Sequence, residues 1–330
     1  MKKTIYLFSH GELKRKDNTL FLESENNKNY IPVENTKEIY IFGEITINKR
    51  ALEFLTSNQI ILHFFNFYDY YIGSFYPREH LNSGYIIVKQ VEHYIDNQKR
   101  INIAKLIFYG AIQNILKNIY YYNNRDRNFK EEIKTIELLI NKINDVQSIS
   151  EIMGIEGNVR EIYYKTFDKI LQNEEFKFEK RTKKPPKNKL NALISFGNSL
   201  LYTTALSEIY KTQLDPRIGY LHESNFRRFS LNLDIAEIFK TIIVDRVIFS
   251  LINKKIIKEE HFETLLNGIT LNEQGAKIFI KEFEEKLQST INHPKLNRNV
   301  SYRELIRLEI YKLQKHIIGE EDYTPFIYPF

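Results

Sequence analysis

The chain has 330 residues, enough to bury one large core or two ordinary ones, and its formal net charge of +6 suits a polyanion partner. Cysteine is absent, which excludes a disulfide framework and any thiolate metal site. No apolar run is long enough to cross a bilayer, and Met1-Lys2-Lys3-Thr4 leads into a strand-like segment rather than a signal peptide, so a cytoplasmic protein is expected.

Residues 1–80 read as a small β domain. β-prone runs occur at 4–8, 19–22, 39–42, 60–65 and 70–76, with polar turn segments such as Ser9-His10-Gly11-Glu12 between most of them. One helix interrupts them: Asn48 can cap a run in which Ala51, Leu52 and Leu55 share a face. Pro77 and Gly84 bracket a boundary near residue 80.

Residues 81–330 read as a larger all-α domain, giving an α+β chain. Apolar residues at three- and four-residue spacing predict helices over 86–120, 129–143, 149–171, 190–210, 233–252, 272–287 and 302–318. The linker 177–189 carries Lys177, Lys180, Arg181, Lys183, Lys184, Lys187 and Lys189, and is broken by Pro185-Pro186. Prolines keep it from being helical, so an extended, mobile basic loop is expected, able to track a phosphate backbone or simply to be solvated.

Three short stretches hold the chemistry-bearing residues. Glu156 lies between Gly154 and Gly157 at the start of a helix, where a glutamate also suits the helix dipole. His222 closes Leu214-Asp215-Pro216-Arg217-Ile218-Gly219-Tyr220-Leu221-His222, in which Asp-Pro starts a turn and Gly219 relieves it. Asp234 and Glu237, three apart on an apolar helix, project from one face. Glu237 sits in an apolar surround, where a carboxylate is costly unless a cation or strong hydrogen bonds hold it. One imidazole and three carboxylates form a donor set for Mg²⁺ or Mn²⁺. Arg227 and Arg228 can neutralise these acids or bind phosphate.

These residues, with Pro185-Pro186, Asn191-Ala192-Leu193-Ile194-Ser195-Phe196-Gly197, Ser230-Leu231-Asn232-Leu233-Asp234-Ile235-Ala236-Glu237-Ile238-Phe239, Val244-Asp245-Arg246 and Tyr323-Thr324-Pro325-Phe326, carry a resemblance that spans the chain. It resembles the CRISPR-associated spacer-acquisition integrases, the "Cas-one" family. The resemblance implies a metal-dependent DNA endonuclease and integrase that joins the 3′-hydroxyl ends of short DNA duplexes into a repeat array. It implies Glu156, His222 and Glu237 as ligands of Mg²⁺ or Mn²⁺, with Asp234 as a supporting acid. Lys183, Lys184, Arg217, Arg227 and Arg228 are candidate DNA contacts. Double-stranded DNA, a homodimer joined through the β domains, and a small ferredoxin-like "Cas-two" partner completing a heterohexamer are the implied partners. Many members have Arg-Pro after the Phe; here Lys240-Thr241 stands there, keeping a basic charge. Two other readings use the same residues: a branched-DNA metal nuclease, and a non-enzymatic nucleic-acid scaffold.

Overall fold

The computed structural model describes residues 2–329 apart from 26, 78–80, 82, 126, 184, 225–228, 266, 267 and 294. Two compact units emerge, Met1–Asn82 and Ser83–Phe330.

The first unit runs β1 (Lys3–Leu7), β2 (Gly11–Lys16), β3 (Thr19–Glu23), β4 (Lys28–Ile31), β5 (Thr36–Ile41), β6 (Ile45–Ile47), α1 (Lys49–Ser57), β7 (Ile61–Phe65) and β8 (Tyr71–Phe75). The strands form two four-stranded sheets, ordered β1-β5-β7-β8 and β4-β3-β2-β6. Asn48 caps α1 as expected, its side chain accepting the Ala51 N–H at 3.0 Å. Leu13, Leu22, Ile39, Leu55 and Leu62 are buried in one cluster drawn from both sheets and α1. The segment expected to turn at Gly11-Glu12 instead opens β2, a strand rich in charged residues that pairs antiparallel with β3.

The second unit is helical: α2 (Gly84–Ile95), α3 (Asn97–Asn123), α4 (Lys130–Asn141), α5 (Ile149–Lys165), α6 (Phe167–Leu171), α7 (Lys189–Ile209), α8 (Leu231–Lys240), α9 (Arg246–Asn253), α10 (Glu273–Gln288) and α11 (Tyr302–Ile317). It also carries two short antiparallel hairpins, β9 (Phe262–Leu265) with β10 (Gly268–Leu271), and β11 (Thr290–His293) with β12 (Arg298–Ser301). The helix expected over 86–120 is broken at Asp96, whose extended backbone and side chain, accepting the Lys99 N–H at 3.0 Å, restart the helix as α3. A π-helical turn, Thr241–Asp245, separates α8 from α9 and begins at the Thr of Lys240-Thr241. Such turns widen the hydrogen-bond ladder by one residue.

Helix α7 is buried on nearly every face, which marks it as the centre of the unit, and it packs on α8 and α11. Helix α3 packs against α5 and α8. The C-terminal tail is fastened to this framework through Asn114 of α3. Its Nδ2 donates to Phe326 O at 3.0 Å and to Ile238 O of α8 at 2.9 Å, while its Oδ1 accepts the Tyr328 N–H at 2.8 Å. Gly110 is required beside it, because a Cβ there would lie 2.5 Å from Pro325 Cβ. Among the described residues no helix is long and apolar enough to cross a membrane.

Candidate active site

The loop leading to His222 is built before the histidine is placed. The buried Gln90 side chain of α2 donates to Asp215 O at 2.9 Å and Ile218 O at 2.8 Å, and accepts the Asp215 N–H at 2.8 Å. Pro216 O accepts the N–H groups of Ser230 and Leu231, both at 3.1 Å, which fixes the loop to the start of α8. Gly219 is needed for space: a Cβ there would come within 2.7 Å of Ser230 C and 2.9 Å of Asp234 Oδ2.

Asp234, fully buried on α8, then gathers the loop. Its carboxylate accepts the backbone N–H groups of Tyr220 at 2.5 Å, Leu221 at 3.0 Å and His222 at 2.9 Å, and lies 2.8 Å from His222 Nδ1. Burial lowers the His222 pKa, but the hydrogen bond and charge of Asp234, with the charge of Glu237, outweigh it and leave the imidazole more basic than usual. His222 Nε2 points the other way and stands 3.9 Å from Glu237 Oε1.

Glu237 is one helical turn beyond Asp234 and only 5 % exposed. It is ion-paired with Lys240 and with Arg160 of α5, and Arg160 Nε also holds Glu156 Oε1 at 2.8 Å. Burial pushes the Glu237 carboxyl up, and Lys240, Arg160 and His222 together hold it far below the ordinary range. Lys240 also lies 5.0 Å from the centre of the Tyr202 ring. A cavity of ≈ 10 Å³, about the space of one water, opens among Glu156, Arg160 and Glu237 against Phe108, Ile112 and Leu221. Farther back, buried Asp245 accepts the Tyr163 hydroxyl at 3.0 Å, and burial raises its carboxyl to about 6.

The structure therefore brings together Glu156, His222, Asp234 and Glu237, residues up to 81 positions apart, through Arg160 and Asp234. Glu156 is not at a helix start: it lies mid-way along α5, whose N-cap is Ser148, so the helix dipole does not account for it. Gly154 and Gly157 beside it face open space, with nothing within 4 Å of a Cβ at either. Arg217 is bound to Asp215, Nε to Oδ1 at 2.9 Å, with most of its side chain exposed. Lys184, Arg227 and Arg228 lie outside the described residues. The described residues of the basic stretch 177–187 are non-helical, as its prolines require, and Lys189 opens α7, but the stretch is tied down rather than loose: Asn191 Nδ2 donates to Lys180 O at 2.8 Å, and Pro186 O accepts the Ile269 N–H of β10 at 2.9 Å. Lys183, exposed within it, feels the repulsion of Arg181 and Lys240 and, more weakly, the attraction of Glu156 and Glu237.

Arg160 and Lys240 are the site residues that reading the sequence did not assign. Their signal was spacing: Arg160 is four residues after Glu156 and Lys240 three after Glu237, each an intrahelical ion-pair distance. The donors, two carboxylates and an imidazole whose far nitrogen is already held, are of the kind that hard divalent ions take. Their present partners, however, are Arg160 and Lys240. Among the described residues no three acidic or imidazole groups are gathered closely enough to hold a metal ion.

A family model described as CRISPR associated protein Cas1 matches residues 5–285. The chain belongs to the Cas1 family. It is 62% identical over 327 residues to CRISPR-associated endonuclease Cas1 2 of Thermodesulfovibrio yellowstonii, covering 99% of each chain. It is 52% identical over 319 residues to CRISPR-associated endonuclease Cas1 of Thermotoga maritima, covering 97% of this chain and 98% of the relative. A solved Cas1 structure from Thermotoga maritima superimposes with a TM-score of 0.89 at 50% identity, covering 98% of this chain and 100% of that one. The N-terminal strand-rich and C-terminal helical division is thus that of a Cas1 protein.

Proposed function

We propose that this Cas1-family protein is a metal-dependent DNA endonuclease and integrase of CRISPR adaptation. In this reading Glu156 and Glu237 would exchange contacts with Arg160 and Lys240 for one Mg²⁺ or Mn²⁺ ion, which they would hold with His222, while Asp234 orients His222. The supporting observation is the convergence of His222 on Asp234 and Glu237 while Arg160 ties Glu237 to Glu156. Relatives bearing the name endonuclease at 62% and 52% identity support the activity class.

Bound there, the ion supplies Lewis-acid polarisation of the scissile phosphate. Asp234 keeps the Nδ1 proton of His222 and leaves the Nε2 lone pair on the Glu237 side, an outer partner of the sort that fixes imidazole ligands. Lys240 and Arg160 offset the charge of phosphate oxygens entering a buried site of low dielectric. Apolar Phe108, Ile112 and Leu221 wall out bulk water. Lys183 and Arg217 contact the DNA backbone, with Lys184, Arg227 and Arg228 as further contacts. In the reaction, the 3′-hydroxyl oxygen of a short incoming duplex forms a new P–O bond and one P–O bond of the target strand breaks. The hydroxyl proton ends on the released target 3′-oxygen. One phosphodiester replaces another, so no nucleoside triphosphate is consumed. Water in place of the hydroxyl gives cleavage.

Double-stranded DNA is the substrate, and two copies pair through their β units. A small ferredoxin-like CRISPR-associated partner completes a heterohexamer. The pairing is supported by Phe67, Tyr68 and Ile72, large apolar side chains left exposed at the β7–β8 hairpin.

One observation favours the scaffold reading: Arg160 and Lys240 already neutralise Glu237, as a purely structural network would. The deciding assay mixes protein, its small partner, a labelled short duplex and a supercoiled plasmid carrying a repeat array. It runs with Mn²⁺, with EDTA, and with a donor lacking its 3′-hydroxyls. Joining that needs both metal and hydroxyl is expected. Metal-dependent nicking without joining points to a branched-DNA nuclease, and indifference to EDTA and to Glu156→Ala points to the scaffold.

A further inference from the structure

The segment between α6 and α7 is closed into a loop by its own neck. Thr182 Oγ1 accepts the Lys187 N–H at 2.9 Å, so residues 182–187 start and finish together. Fully buried Asn191, on the first turn of α7, holds the entry side with every polar atom of its side chain. Its Oδ1 accepts Arg181 Nη1 at 2.9 Å and the Thr182 N–H at 3.2 Å, and its Nδ2 donates to Lys180 O at 2.8 Å. Arg181 Nη2 adds a bond to Ser195 Oγ at 3.1 Å.

The exit side rests on the β9–β10 hairpin. Ile269 N–H donates to Pro186 O at 2.9 Å. At Gly268 a Cβ would lie 2.5 Å from Pro185 Cβ and 2.6 Å from Pro186 O. Neither atom is the end of a flexible side chain, so any larger residue at 268 must push the proline pair away. The loop therefore has two anchors and one neck. Lys183 stands between them, exposed, in the combined field of Arg181 and Lys240 and, more weakly, of Glu156 and Glu237.

We propose that Asn191 and the Gly268 end of the hairpin are positioning elements that hold residues 180–183 and 185–187 as a preformed grip on DNA phosphate, with Lys183 as the side chain that makes the contact. The proposal rests on DNA being the substrate of the neighbouring site. A lysine on a free linker loses backbone and rotamer freedom on binding, whereas one on an anchored loop has lost much of it already. Gripping one phosphate releases its condensed counterions, so the contact is visible as salt dependence even when no chemistry occurs.

The test uses the full chain in EDTA, a labelled DNA duplex of arbitrary sequence, and a salt series. Lys183→Ala is expected to weaken binding evenly across sequences and to reduce the slope of log K against log salt by about 1. Gly268→Val is expected to reproduce that loss with all basic residues intact, and the double variant to lose no more than either alone. Thr182→Val, which removes the neck bond at nearly constant volume, serves as a second variant should Gly268→Val not fold, and is expected to lose part of the same slope. A wild-type slope in folded Gly268→Val or Thr182→Val, or fully additive losses in the double variant, overturns the proposal. Because the readout is binding without metal, failure of the assigned chemistry leaves it unchanged, and the two readings fall separately.

Discussion

His222 Nδ1 lies 2.8 Å from Asp234 Oδ1, and the same carboxylate collects the backbone N–H groups of Tyr220, Leu221 and His222. Asp234 thus sets both where the imidazole stands and which nitrogen faces Glu237. An amide at 234 cannot accept from all four groups and turns an NH₂ towards some of them. Asp234→Asn is expected to lower stability by about 1–3 kcal/mol and metal affinity by about 10- to 100-fold. Thermal unfolding and calorimetric Mn²⁺ titration read the two effects. Wild-type metal affinity in the folded variant would remove Asp234 from the presentation of His222.

Arg160 supplies the positive charge shared by Glu156 and Glu237. Without it, Glu237 keeps Lys240 alone inside a buried site. Arg160→Ala is expected to cost about 3–5 kcal/mol in EDTA, the range for breaking a buried pair. A divalent ion that binds only the folded state adds about 2.7 kcal/mol at one hundred times its Kd. Mn²⁺ should therefore raise the Tm of the variant, and by more than that of the wild type, where the ion competes with Arg160. Equal shifts in both proteins would count against a metal site at these carboxylates.

Away from the site, Glu208 of α7 is fully buried and meets Arg303 Nε at 2.8 Å and Arg307 Nη2 at 2.6 Å from α11, with Lys211 Nζ at 2.8 Å. Burial pushes its carboxyl up, and Lys211, Arg303 and Arg307 outweigh that and hold it at about 2, below the ordinary 4.5. A carboxyl lowered on folding gives stability that is complete above the unfolded pKa, near 4.5, and is lost as pH falls towards about 2. Glu208→Gln is expected to be less stable by about 3–5 kcal/mol at neutral pH, with the gap from wild type narrowing across that acid window. Parallel stability curves down to the lower limit would contradict the assignment.

Gly154 and Gly157 sit inside α5 with open space where a side chain would go, whereas Gly197 of α7 would place a Cβ 2.6 Å from Val244 Cγ1 and 2.7 Å from Phe279 Cζ. Alanine removes the backbone freedom that glycine carries in a helix, so Gly154→Ala and Gly157→Ala should each stabilise by roughly 0.5–1 kcal/mol. Gly197→Ala should destabilise by about 1–3 kcal/mol through overpacking. Denaturant unfolding checks the opposite signs. A loss of DNA affinity in the stabilised pair would mark the open side of α5 as a surface that DNA approaches.

The parts of this architecture legible in the sequence were those with a strong local period or cap. Asn48 announced α1, and the apolar stripes of α4, α7, α10 and α11 fell within a few residues of their observed ends. Strands β2 and β4 were not, because Gly11-Glu-Leu-Lys-Arg-Lys and Lys28-Asn-Tyr-Ile lack an apolar alternation and owe their state to pairing with β3. The break at Asp96 hid inside a continuous apolar pattern, since a cap adds no gap to the period. At the site, Glu156, His222, Asp234 and Glu237 could be picked out as a donor set. Arg160 and Lys240 could not be assigned, because intrahelical spacing alone does not say that an arginine on α5 also reaches a glutamate on α8. The anchored state of the basic loop was equally hidden: it depends on Gly268, more than eighty residues downstream of Lys183.

Strand transfer with His222→Ala decides whether this imidazole serves the chemistry. The side chain is one-quarter exposed, and Asp234 keeps its three backbone donors when the imidazole is removed, so the fold should survive with Tm close to wild type. With Mn²⁺, the small partner, a 3′-hydroxyl donor and a repeat-bearing plasmid, the wild type is predicted to form joined product and His222→Ala none. A folded His222→Ala protein that joins DNA at the wild-type rate would contradict the assigned site.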